Sequence, residues 1–155
     1  MKRNEKLLIV LIVLTLAFIW GNSLLNADQS SAMSSFVRDL VQKLFPGLLS
    51  IDAEESSHLI RKLAHGTEYL LLGAELSLLL FRFRGRPLSL PLLLGTLAAL
   101  FDETIQLFSA GRGSAVKDVW IDLGGFLVGA LLGILIDFII KKARPSGQSH
   151  KCEDK

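Results

Sequence analysis

Apolar residues run through the chain in four blocks, 7–25, 63–83, 88–108 and 119–140, each close to the ~20 residues a helix needs to cross hydrocarbon. The one long connection, 26–62, has a pattern of its own. Phe36, Val37, Leu40, Val41, Leu44 and Phe45 recur at helical spacing, while Arg38, Asp39, Gln42 and Lys43 occupy the opposite face. This predicts an amphipathic helix on the membrane surface, ended by Pro46 and Gly47. Asp52 followed three residues on by Glu55 reads as a capping box, so the second membrane helix is expected to start well before its apolar part and to rise through His58 and Arg61. The expected fold is all-α: an integral membrane four-helix bundle with an amphipathic interfacial helix in the long outer loop.

Composition narrows this further. With 50% apolar residues in 155, the chain is expected to form one membrane domain over 1–142 and a polar cytoplasmic tail over 143–155, with no separate soluble module. The net charge of +2 says little, but its distribution says more. Lys2, Arg3 and Lys6 precede the first block, Arg82, Arg84 and Arg86 fill the second connection, and Lys141, Lys142 and Arg144 follow the last. Four crossings put all three clusters on one side, which by the positive-inside bias makes both termini cytoplasmic. A basic start before an apolar run also resembles a signal peptide. A retained span is expected instead, because the run is long and Gly21, Asn22, Ser23, Asn26 and Ala27 make no A-x-A site. Cys152 is the single cysteine, so an intramolecular disulfide and a thiol-rich zinc site are both excluded.

The ionisable residues inside the blocks carry the functional signal. At ~100° per residue, Arg61, His65, Glu68 and Glu75 fall within an arc of roughly 80°, and Glu68 lies about 10 Å along the helix from Arg61. In the third block Gly95, Ala98, Ala99, Asp102 and Gln106 share a face, with Glu103 beside it. In the fourth, Asp118 and Asp122 stand above a Gly125, Gly129, Gly133 seam that lets helices approach closely. Alternating direction brings these groups to the same leaflet. An ionisable group near a helix centre costs about 2.5–3.5 kcal/mol on insertion scales, so several on inward faces point to function. Simpler readings exist for some of them. Lys62 and Lys117 are equally anchors that snorkel, His65 with Glu68 is also a helix-pinning pair, and Glu75 is a buried protonated or hydrogen-bonded acid. Asp137 is expected to pair with Lys141, and Tyr69 and the two tryptophans to be packing or interface aromatics.

Arg61-Lys62-x-x-His65-x-x-Glu68-Tyr69, then Asp102-Glu103-x-x-Gln106-x-Phe108, then Gly111-Arg112-Gly113-Ser114 with Asp118-Val119 and Gly124-Gly125 form a recognisable series. It resembles the VanZ-like family of bacterial membrane proteins, named for a member associated with teicoplanin resistance. The likeness covers nearly the whole chain, including Trp20-Gly21-Asn22-Ser23 and Gln29-Ser30-Ser31. Asp122 stands where asparagine is expected in many relatives. The resemblance implies a bacterial cell-membrane protein, similar to enzymes that exchange or modify lipid head groups such as phosphatidylserine synthases. A membrane lipid or lipid-linked envelope precursor is then the implied partner, and nucleic acid is not expected.

The leading functional expectation is a membrane enzyme acting on a lipid or polyprenyl head group at the outer leaflet. Arg61, Arg112 and Lys62 suit a phosphate, with Gln106 and Asp122 completing the substrate-binding set. His65 is the expected general base, Glu68 orients it or shares its proton, and Asp102, Glu103 and Asp118 tune that proton or hold a divalent cation such as calcium or magnesium. Two alternatives stay open: non-catalytic binding of an envelope lipid or glycopeptide, and a small transporter. The transporter ranks lower because four helices leave little scope for two gates.

Overall fold

A computed structural model describes residues 3–45, 52–112 and 116–143. Among them the protein is all-helical: α1 (Arg3–Ser23), α2 (Ala27–Leu44), α3 (Ala53–Ser77) continued by a π-helical segment (Leu78–Phe83), α4 (Ser89–Phe108) and α5 (Val116–Ala143). Helices α1, α4 and α5 are long and apolar enough to cross a membrane. By length and composition α3, the fourth expected span, is not among them, because it carries Arg61, Lys62, Glu68 and Glu75.

The closest pairing in the fold is α3 against α5. Its cause is the glycine seam: a Cβ on Gly125 would collide with the Gly66 carbonyl, one on Gly129 with the Leu70 carbonyl, and one on Gly133 would come within 2.8 Å of the Ala74 carbonyl. Without side chains there, the two backbones touch. The matched pairs 66/125, 70/129 and 74/133 rise together, so α3 and α5 run parallel with a constant register. Helix α4 packs on α5 and α1, seating Gly95 under the Phe126 ring, and Trp20 of α1 meets Phe101 edge-on at 4.9 Å between centroids. The expected inward face of α4 is the buried one, from Pro91 through Gly95, Ala98, Ala99 and Asp102 to Gln106.

Polarity is inverted relative to a protein built for water. Phe108, Leu131, Leu135 and Phe138 are exposed, whereas Ser23, Asp102, Glu103, Gln106 and Asp122 are buried. A water-soluble fold leaves large apolar patches of this kind covered. Leucines facing hydrocarbon need no cover, while polar groups in hydrocarbon must find each other.

Local signals fared unevenly. Helix α2 starts at Ala27, nine residues before the predicted apolar face, because Asn26 and Gln29 form a reciprocal capping box. It ends at Leu44 with the Phe45 N–H on the Val41 carbonyl at 2.8 Å; the expected stop at Pro46 and Gly47 lies outside the described residues, as does the tail from 144 with Cys152. Phe36, Leu40 and Leu44 are exposed on α2, as an interfacial helix requires. Asp52 does precede α3, but its side chain makes no capping bond, so the predicted Asp52–Glu55 box is absent. Asp137 pairs with Lys141 at 2.6 Å, the expected i, i+4 contact.

Gly129→Ala should lower thermal stability in detergent by about 1–3 kcal/mol, the range for overpacking a filled interface. Gly124→Ala is the control, since a Cβ there meets nothing within 4 Å. Equal unfolding temperatures for the two variants would contradict the seam.

Candidate functional site

Parallel α3 and α5, with α1 and α4 running the other way, bring four helix ends together. The last turns of α1 and α4 meet the first halves of α3 and α5, and α2 closes the side. The Gly66–Gly125 contact lies one residue from His65 and three from Asp122, so the seam itself sets these two side chains near each other. Asp102 arrives from α4, with its Oδ2 3.7 Å from His65 Nδ1. Gln106, one turn on, donates from Nε2 to Asp102 Oδ2 at 3.0 Å and to Ser23 Oγ at 3.3 Å.

The 109–112 loop ties this end shut. Arg112 donates from Nη2 to Ser30 Oγ at 2.6 Å and from Nη1 to the Ser23 carbonyl at 3.4 Å, and Ser109 Oγ donates to the same carbonyl at 2.7 Å. The Ala27 N–H donates to the Ala110 carbonyl at 3.1 Å. Burial is the chief influence lowering the Arg112 pKa, with Arg61 adding to it and Asp102, Glu103 and Glu68 opposing. An arginine starts so far above neutrality that the group stays charged.

The Arg61, Glu68, Glu75 stripe turns toward α1 and α2. Arg61 Nη2 donates to Ser31 Oγ at 2.8 Å, Asn22 Nδ2 to Glu68 Oε1 at 2.8 Å, and Thr15 Oγ1 to Glu75 Oε1 at 3.2 Å. The carboxylate beside His65 is therefore Asp102, while Glu68 is engaged by Asn22.

Two cavities adjoin at this end. One, of about 190 Å³, is polar and lined by His58, Arg61, Lys62, His65, Gln106, Arg112, Asp118 and Asp122. The other, of about 260 Å³, is mainly apolar and opens between α1, α2 and α3, past Phe18, Leu25, Met33, Val37 and Ile60. Arg61, His65 and Arg112 belong to both walls. Asp102 lies fully buried behind the polar cavity, and Glu68 lines the apolar one. Glu103 stands apart from both, in a groove between α4 and α5 with Thr104, Val119 and Trp120. Gly113 and Ser114 lie outside the described residues.

The sequence pattern of Tyr69 is that of a packing or interface aromatic. Tyr69 is fully buried, yet its hydroxyl has no hydrogen-bond partner. Its position one residue after Glu68, on the flank of the polar stripe, was the available signal. In the sequence, Ser30 and Ser31 stand out only through the family resemblance, and Ser23 carries no site role. Serine is too common near helix ends to stand out otherwise.

A family model, VanZ/LLP1, matches residues 8–137. The chain belongs to this family. No curated protein and no solved structure matches it. In this VanZ/LLP1 membrane protein the match runs from α1 to the Asp137 end of α5, so both cavities fall wholly inside it.

Arg112→Ala should loosen the junction of α1, α2 and the loop without unfolding the protein. Charged hydrogen bonds contribute about 1.5–3 kcal/mol when buried; for this partly buried group about 1 kcal/mol is expected, roughly a five-fold loss of amide protection over 24–31. Hydrogen exchange in detergent reads it, and unchanged protection would remove Arg112 from this structural role.

Proposed function

We propose that this VanZ/LLP1 protein is a bacterial envelope enzyme that binds a phosphate-bearing lipid or lipid-linked precursor and modifies or exchanges its head group. One observation carries the reading: a polar cavity with two guanidinium groups shares its wall with an apolar groove, which is the shape of an amphiphile. Arg61 and Arg112, with Lys62 at the rim, take the phosphate, and the groove between α1, α2 and α3 takes a hydrocarbon chain. The cluster of His65, Asp102 and Asp122 removes a proton from the attacking group, with Gln106 fixing Asp102 and Asp118 on the facing wall. Glu68 and Glu103 add negative charge behind the cluster and need not touch the substrate. In this reading α3 is the fourth crossing helix. Its polar stripe is covered by α1, both termini are cytoplasmic, and the cavities open at the outer leaflet.

The test is head-group turnover by purified protein in vesicles of defined phospholipid, with divalent ions and candidate acceptors supplied. His65→Ala should lower turnover by about 10²–10⁴-fold, the usual contribution of acid–base catalysis. Arg61→Gln should raise KM. If head-group composition stays fixed over many protein equivalents, catalysis is refuted and a binding role remains. Val37→Trp separates the two cavities: it should raise KM for a long-chain lipid and leave a short-chain analogue unaffected. Equal effects on both analogues would deny the groove its hydrocarbon.

A further inference from the structure

We propose that His65, Asp102 and Asp122 together bind one divalent cation. Their ligand atoms all lie within 4.8 Å of one another, and His65 Nδ1 is 3.7 Å from Asp102 Oδ2. Ligands of one ion stand no farther apart than twice the bond length, roughly 4.2–4.8 Å for bonds of ~2.1–2.4 Å. Small side-chain rotations bring all three within that limit.

Two further observations point into the same space. Asp102 is 0% exposed, and while Gln106 holds its Oδ2, its Oδ1 has no hydrogen-bond partner. Tyr69, one helical turn along α3 from His65, is equally buried, and its hydroxyl is also unpartnered. Two buried carboxylates side by side demand a positive charge between them, either a shared proton or a metal ion. The neighbouring cation, Arg112, is already bonded to Ser30 and the Ser23 carbonyl. Buried phenol and carboxylate oxygens without partners are what a hydrated ion would satisfy.

One imidazole and two carboxylates form a donor set suited to manganese, magnesium or zinc, and the described residues include no thiol. Three protein ligands leave coordination positions open. The polar cavity, which has both His65 and Asp122 in its wall, gives water or a phosphate oxygen access to them. With an ion bound, the cluster's proton-removing role passes to acidifying an ion-bound water or hydroxyl. Gln106 is then a positioning residue, since it orients a ligand. Glu103 and Asp118, considered with Asp102 from sequence alone, lie outside the set.

The experiment uses full-length protein in phosphatidylcholine nanodiscs, whose neutral surface leaves Mn²⁺ free, with binding read by electron paramagnetic resonance. Wild type should bind one Mn²⁺ saturably, with nitrogen hyperfine coupling from an imidazole. His65→Gln should abolish that coupling, Asp122→Asn should weaken binding at least 100-fold, and Asp39→Asn, on the exposed face of α2, should leave it unchanged. Gln106→Ala should weaken it about 10–100-fold, as loss of a ligand's orienting partner does. Should Asp122→Asn fail to fold, the coupling in wild type and its loss in His65→Gln still decide. No saturable binding to wild type, binding without nitrogen coupling, or coupling that survives His65→Gln would each overturn the site. Because no lipid turnover is read, the head-group reading can fail while this one stands, and the reverse.

Discussion

Backbone contact between α3 and α5 is the constraint from which the rest follows. A methyl group at Gly125 or Gly129 would overlap a carbonyl oxygen of α3, so the register of the two helices is fixed to the residue. Hydrophobicity could not fix it, because leucine faces lipid and leucine faces helix at nearly the same free energy. Once the register is set, Asp122 and His65 have one relative position. Asp102 and Gln106 are added by α4, which reaches that end of the molecule from the opposite direction.

Around the contact, several of the polar groups bond one another, while Asp102 Oδ1 and the Tyr69 hydroxyl are left without partners. Ser23 is the hub of these bonds, accepting from Gln106 through its hydroxyl and from Ser109 and Arg112 through its carbonyl. Magnitudes argue against stability as the reason for this arrangement. Hydrogen bonds between membrane helices contribute about 0.6 kcal/mol on average, whereas each ionisable residue near a helix centre costs about 2.5–3.5 kcal/mol to insert. An apolar sequence would make the same bundle at a lower cost of insertion, so stability does not account for the cluster.

Much of the outline could be read from the chain. Apolar blocks of membrane length gave α1, α4 and α5 because hydropathy is summed over twenty residues and small errors average out. The inward faces of α4 and α5 were legible because small and polar residues recur there at helical period. Caps were less legible: Asp52 with Glu55 matches the box pattern without forming it, whereas Asn26 with Gln29 forms one. Such bonds depend on one side-chain rotamer each, which spacing alone does not specify.

Sequence by itself determined which residues are polar within apolar blocks, which helix face each occupies, and that Arg61, His65, Asp102, Arg112 and Asp122 share one end. These are consequences of helical period and alternating direction. Only the tertiary structure decided who meets whom. It gave His65 to Asp102 rather than Glu68, Glu68 to Asn22 and Arg61 to Ser31, and it left the buried Tyr69 hydroxyl without a partner. The physical reason is that a stripe on one helix spans about 80° and faces two neighbours at once. Which neighbour a side chain reaches depends on helix rotation and separation, and those are set by packing between segments far apart in the chain.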